Sequence, residues 1–402
     1  MTESEILRYA LESGMLDLTT VKADMRVKKR IEILQNHPHK VWQGSNGFWY
    51  THIGEGKERK KVKRKTRDSL DDYLVAYYDT TPTFKLKFDL WVERQRLCCR
   101  SDNTIYRYQT DYKRFIEGKD FENLKIDEIT EEDISKLFKE VNVNKEYTYE
   151  AIQTLFGMIK GVMNKAIRDK EIEDNPCNYV DLEMFQKICK EKAYHTDEER
   201  TLSDDERLML IKKLEYKMDT KPYYIPSYAL KLSILTGMRV GELSGLKWED
   251  VFFDKKYILI RHSERYNRLT NEYSVEDTKN HKERYFPITD DIEKLLKLVW
   301  KVESEKEWLT EYVFSNEQGR VNKNVISNAM RSSTMYDKRF SGVKSIHSVR
   351  RTFNSNLRCD GVSATVASSL LGNSTRCNDE HYTYNTTALK YRADIVAKAG
   401  SI

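Results

Sequence analysis

Thr236-Gly237-Met238-Arg239-Val240-Gly241-Glu242-Leu243 is the stretch on which the reading of this 402-residue chain turns. An apolar run (Leu230, Leu232, Ile234, Leu235) leads into it at helical density. The glycine turn predicts a break there, with Arg239 presented from the start of a new helix. Working outward, Asp277-Thr278-Lys279-Asn280 lies between strand signals at Tyr257–His262 and at Arg284–Ile288, which predicts Lys279 on a hairpin. His347-Ser348-Val349-Arg350 follows, and its i, i+3 spacing puts both side chains on one helix face. Leu371-Gly372-Asn373 then precedes Tyr382 by nine residues. Each fragment alone has an ordinary structural explanation, since a buried Arg or a surface Lys is common. Their order gives them weight.

The remainder of the chain reads as several domains around this segment. Residues 3 to 36 are predicted helical. Val41-Trp42-Gln43 and Phe48-Trp49-Tyr50-Thr51 are β-prone runs either side of Gly44-Ser45-Asn46-Gly47, a hairpin signature. A third strand is expected in Lys57 to Arg67, and Asp68 or Ser69 is expected to cap a helix through Leu70, Leu74 and Tyr77. Between Lys40 and Arg67 nine Lys/Arg face two Glu, a balance of +7 in a chain whose net charge is +5. Charge so concentrated, beside Trp42 and Trp49 read as exposed, points to a polyanion; a solvated edge strand is the plainer alternative. Four helices are predicted near 83–97, 102–118, 131–141 and 147–169, and the second mixes Tyr106, Tyr108 and Tyr112 with Arg107, Lys113 and Arg114. The stretch 186–200 reads as an exposed linker.

Composition excludes several classes. With 39% hydrophobic and 33% charged residues there is material for cores under a wet surface, and no apolar run approaches the roughly 20 residues that span a bilayer. The N-terminus, MTESEILRYALESG, carries acids where a signal peptide has a basic end, so a cytoplasmic protein is expected. Six cysteines without CxxC or zinc spacing support neither disulfides nor a metal site. No Walker motif or carboxylate cluster calls for a cofactor.

In order and context, Arg239, Lys279, His347, Arg350, the Leu-Gly turn and Tyr382 resemble the signature of the tyrosine recombinases, notably the integrases of phages and conjugative transposons. That signature has a T-G-x-R-x-x-E-L arginine, a hairpin lysine, HxxR, L-G-H, and a tyrosine nine residues after the last histidine. Every position matches except that histidine, which is Asn373 here. The resemblance implies a mainly α, multidomain fold. Residues 1–79 would hold a small three-stranded β-plus-helix domain for arm DNA, 80–185 a helical (SAM-like) core-binding domain, and 201–402 an α-rich catalytic domain with a small antiparallel sheet.

The implied chemistry is cutting and rejoining of DNA strands through a 3′-phosphotyrosine, for integration and excision of a mobile element. Tyr382 would be the nucleophile, with Tyr384 as its nearest rival. Arg239 and Arg350 would clamp the nonbridging oxygens, because a guanidinium fork offers paired donors. Lys279 would protonate the leaving 5′ oxygen, His347 would take the tyrosine proton, and Asn373 would donate to a phosphate oxygen. Glu242, three residues after Arg239, reads as its orienter. Lys60, Lys61, Lys63, Arg64, Lys65, Arg107, Lys113 and Arg114 would contact duplex DNA. A homo-tetramer linked by exchange of the C-terminal tail, and accessory proteins for excision or DNA bending, are the implied partners. Two other readings remain: a type IB topoisomerase-like relaxing enzyme and a non-catalytic DNA-binding regulator.

Overall fold

Polar caps start most of the helices, and the computed structural model shows them directly; it describes residues 18–54, 56, 59–98, 101–193, 196–278 and 283–381. Thr130 with Asp133, Ser203 with Glu206 and Ser345 with Ser348 each exchange the two bonds of a capping box, so these starts are set locally. The chain divides into two compact units, the first ending at Lys192 and the second beginning at Ala193.

The first unit opens with α1 (Leu18–Gln35), β1 (Trp42–Gln43), β2 (Trp49–Ile53), β3 (Lys60–Arg64) and α2 (Arg67–Tyr78). The strands form one antiparallel sheet in the order β1-β2-β3, with Trp42 opposite Tyr50 and Tyr50 opposite Lys63. Alternation along the strands buries Ile53 and Val62 against Leu70 and Leu74 of α2. Four longer helices follow: α3 (Phe84–Leu97), α4 (Asp102–Phe115), α5 (Glu131–Val141) and α6 (Tyr149–Arg168). They close over a second, separate core that includes Phe88, Ile105, Phe115, Phe138 and Ile159. Charge joins the two layers: Lys29 of α1 donates to Thr81 at 2.9 Å and to Asp127 at 2.7 Å, and Lys125 pairs with Asp79.

The second unit comprises α7 (Asp197–Arg200), α8 (Asp204–Thr220), α9 (Pro226–Thr236), α10 (Val240–Ser244), β4 (Val251–Phe252), β5 (Tyr257–Ile260), β6 (His262–Asn267), β7 (Glu272–Asp277), β8 (Arg284–Pro287), α11 (Asp290–Glu305), β9 (Ser315–Asn316), β10 (Gly319–Arg320), α12 (Lys323–Met335), α13 (Ile346–Cys359), α14 (Ala364–Leu371) and α15 (Thr375–His381). The mainly helical fold with small antiparallel sheets is therefore as expected. α9 is apolar nearly all round and runs through the middle of the core, touching α8, α11, α12 and α13.

Several local expectations need correction. The cap of α2 is Thr66, which accepts from the Ser69 amide, because Asp68 and Ser69 already lie inside the first turn. Lys279 lies outside the described residues, and the two strands on either side of it do not form a hairpin with each other. β7 pairs with β6 and β8 pairs with β5, so β7 and β8 belong to two different sheets. The strand expected over 257–262 breaks at Arg261, where a second hairpin begins that local sequence signals do not mark. Trp42 and Trp49 are half-buried rather than exposed. The stretch 186–200 is anchored at both ends: Cys189 sits in the second core, and the buried Lys344 ammonium donates to the Glu198 and Thr201 carbonyls, each at 2.6 Å.

Candidate active site

Two glycines place the key side chains. Gly237 ends α9 with φ 63°, and Gly372 ends α14 with φ 67°, a left-handed cap that other residues adopt at a cost. Arg239 follows the first glycine and stands at the start of α10. There its backbone N–H donates to Glu242 Oε2 at 2.9 Å and its Nη1 to Oε1 at 2.8 Å. Glu242 thus holds Arg239 by two bonds, across the three-residue spacing. His347 and Arg350 project from the first turn and a half of α13.

The turn Leu370-Leu371-Gly372 is where these pieces meet. The last carbonyls of a helix have no partner within it and carry the negative end of its dipole. Here three consecutive carbonyls accept from three arginines: Leu370 from Arg284 Nε at 2.9 Å, Leu371 from Arg350 Nη2 at 2.7 Å, and Gly372 from Arg239 Nη2 at 3.3 Å. Arg350 Nη1 also donates to Gly237 O at 2.9 Å, so one guanidinium ties both glycine turns together. Arg350 is 0% exposed, whereas 36% of the Arg239 side chain is open.

Arg239, His347 and Arg350 line one cleft of about 510 Å³, faced across by Lys323, Asn328 and Arg331. The ring of His347 keeps an open edge, yet burial of the rest and the charges of Arg351, Arg350 and Arg239 lower its pKa below the usual histidine value. It is neutral at pH 7 and able to accept a proton. Burial alone would raise the Glu242 carboxyl, but Arg284 above all, then Arg239 and Arg350, hold it down at about 2. Asn373, directly after the turn, has both amide atoms buried with no hydrogen-bond partner among the described residues. Behind it, Asn354 of α13 and Asn378 of α15 exchange amide bonds at 2.7 and 3.2 Å in full burial, fastening the helix that ends at His381 to the helix of His347.

Tyr382, its rival Tyr384, the tail at 383–402 and Lys279 lie outside the described residues. Of the six expected catalytic residues the structure therefore describes four, of which Arg239, His347 and Arg350 share the cleft and Asn373 sits beside the turn that binds them. Arg284 was missed. It lies in the strand signal that flanks Lys279, but its partners are 42 and 86 residues away in sequence. The Asn354–Asn378 pair was missed for the same reason. Among the described residues one group of possible metal ligands comes together, Glu249, Asp250 and His262. Arg261 already donates to Asp250 at 2.8 Å and to Glu249 at 3.0 Å, which answers the charge there.

Residues 200–388 match the phage integrase family. That segment carries the sequence pattern of the tyrosine recombinases. A XerC-like tyrosine recombinase of Caldanaerobacter subterraneus subsp. tengcongensis is 26% identical over 346 residues, 79% of this chain and 84% of that protein. In fold, the chain is similar to the Tn1549 transposon integrase in complex with a circular intermediate DNA, with TM-score 0.61, 16% identity, and coverage of 77% of this chain and 99% of that one. It is also similar to a lambda integrase tetramer bound to a Holliday junction, with TM-score 0.56, 16% identity, and coverage of 88% and 97%.

The other bases singled out in the sequence lie in the first unit. Lys61 and Lys63 point to the outer face of the small sheet, where Lys61 stands 4.5 Å from the Tyr50 ring centre and Lys63 3.9 Å from that of Phe48. Lys60 and Arg64 flank the buried Val62 on the other face, and Lys65 lies just past the strand. On α4, Tyr112 is buried against Phe88, while Arg107, Lys113 and Arg114 are exposed. No helix among the described residues is long and apolar enough to cross a membrane.

Proposed function

We propose that this chain is a recombinase that cuts and rejoins DNA strands at specific sites through a 3′-phosphotyrosine on Tyr382, and so integrates and excises a mobile element. The Tyr382 oxygen would attack the scissile phosphorus, giving its proton to His347, while the bond to the 5′ oxygen breaks and Lys279 protonates that oxygen. Attack by a 5′ hydroxyl of another strand reverses the step and frees the tyrosine. Arg239 and Arg350 would bind the nonbridging oxygens, and the Asn373 amide would supply a further donor. The observation that carries this reading is the cleft in which Arg239, Arg350 and a neutral His347 converge, beside the amide of Asn373 that no described residue satisfies.

The remaining assignments rest on resemblance and charge. Residues 1–79 would bind arm DNA, 80–185 core DNA, and 201–402 would hold the catalytic domain, with the tail after Tyr382 linking subunits of a tetramer. DNA-bending or excision proteins would assist in a bacterial cytoplasm.

The test is capture of SDS-stable adducts from a pool of randomised, nicked duplexes. The wild type is expected to form adducts that Tyr382→Phe abolishes and Tyr384→Phe retains. Loss in the second variant alone would reassign the nucleophile. With intact substrates carrying the selected sites, joined recombinants are expected; relaxed circles alone would indicate a topoisomerase.

A further inference from the structure

The guanidinium of Arg284 is 8% exposed and spans two of the site's elements. From β8 its Nη1 and Nη2 fork onto both oxygens of Glu242 at 3.0 and 2.7 Å, and its Nε donates to Leu370 O at 2.9 Å. It does not line the cleft that holds Arg239, His347 and Arg350. A Cβ on Gly372 would come within 2.8 Å of Arg284 Nη1, so the glycine turn and this arginine are fitted to one another.

The charge arithmetic gives this packing a consequence. Arg239 and Glu242 alone form a neutral pair, in which the carboxylate holds the guanidinium by Nη1 and by its own backbone N–H. A neutral pair attracts a phosphodiester weakly. A second guanidinium on the same carboxylate leaves the group at +1. It also divides the carboxylate's attraction, so Arg239 is aimed without being captured.

We propose that Arg284 is a positioning residue, which by gripping Glu242 and the Leu370 carbonyl together keeps Arg239 net positive and aimed at the scissile phosphate. The phosphate rests on the function proposed above. Lysine cannot reproduce the role, because one ammonium cannot supply the planar fork and the third donor together. Glu242 is held well below the usual carboxylate range chiefly by Arg284, in keeping with this division of charge.

Arg284→Met, Arg284→Lys and Arg284→Met with Glu242→Gln should be compared on a nicked duplex selected as above. Duplex affinity should stay within about threefold, since most contacts to the backbone lie elsewhere. Single-turnover adduct formation should fall about 100-fold in Arg284→Met, the effect of a misaimed group. Removing the carboxylate as well should restore roughly tenfold, because Arg239 is then released. A merely structural role predicts that the double variant is slower still, and that result overturns the proposal, as does an Arg284→Met rate within about threefold of wild type. If Arg284→Met does not fold, Arg284→Lys decides: a rate about tenfold lower is expected, and an unchanged one overturns the proposal. Should the wild type form no adduct with any duplex, the strand-cutting reading fails by itself. Arg284 is then judged on inorganic phosphate, titrated through the His347 ring proton signal. Binding about tenfold weaker in Arg284→Lys is expected, and equal binding overturns the proposal.

Discussion

The basic strand of the first unit and the arginine cluster of the second hold positive charge in opposite ways. On β3 the ammoniums of Lys60, Lys61 and Lys63 are exposed, lie over aromatic rings or in water, and have long flexible stems. Around the Leu370–Gly372 turn, Arg350 and Arg284 are buried, and their guanidinium groups reach acceptors on the backbone and on Glu242. The first arrangement gives a diffuse field that salt screens. The second fixes direction to within a hydrogen bond and, lying in a low-dielectric surround, keeps its strength. The function proposed above, finding DNA and then acting on one phosphate, has use for both.

Removing one buried arginine is the strongest way to break this contrast. Arg350→Ala leaves the Gly237 carbonyl without its donor, leaves the Leu371 carbonyl only the long 3.5 Å bond from Arg239, and opens a hole between two turns. A loss of about 3 kcal/mol in urea unfolding is expected, together with loss of the covalent adduct. A loss below about 1 kcal/mol would show that the buried cluster is no more structural than the lysines. Asn373 comes next, since its buried amide finds no partner among the described residues. Asn373→Ala should slow single-turnover cleavage about 100- to 1,000-fold, the usual effect of losing a preorganised donor, while Asn373→His should be tolerated or faster. An unchanged rate would make the residue a helix-terminal filler.

Glu303 sharpens the comparison from the acidic side. It is fully buried on α11, accepts from the Ser315 amide at 2.7 Å, and burial, with no cation to offset it, raises its pKa to about 8. Glu242, equally buried but shared by arginines, goes the opposite way to about 2. The folded protein keeps a proton on Glu303 that the unfolded chain has released above its ordinary pKa of 4.5. Stability from this group is therefore present at low pH and is lost as pH rises towards and through 8. The slope is about 1 kcal/mol per pH unit over that window, and Glu303→Gln should flatten it in denaturation series between about pH 5 and 9. An equal slope in the variant would rule this out. The smallest stability effect belongs to the strand. Lys60, Lys61 and Arg64 changed to Ala should leave unfolding within about 0.5 kcal/mol, yet lower the log–log salt slope of DNA binding by about 0.9 for each phosphate no longer neutralised. An unchanged slope on every DNA element would reduce the run to a solvated strand.

The sequence by itself determined whatever depends on near neighbours. The helices between 83 and 169, the β3 strand, the capping boxes, the pairing of Glu242 with Arg239 and the shared face of His347 and Arg350 all follow from spacings of two to four residues, which local geometry converts directly into contacts. The order of the motifs was enough to indicate the tyrosine recombinases. Where a choice depended on strands far apart, local signals failed: Lys279 stands between two strand segments, but their partners are β6 and β5, not each other. Tertiary structure alone brought Arg284, Arg350 and Arg239 onto three successive carbonyls at the end of α14. The physical reason is that unpaired carbonyls and a buried carboxylate must find donors wherever the fold brings them, and a guanidinium reaching across 86 residues of sequence leaves no period or spacing to read.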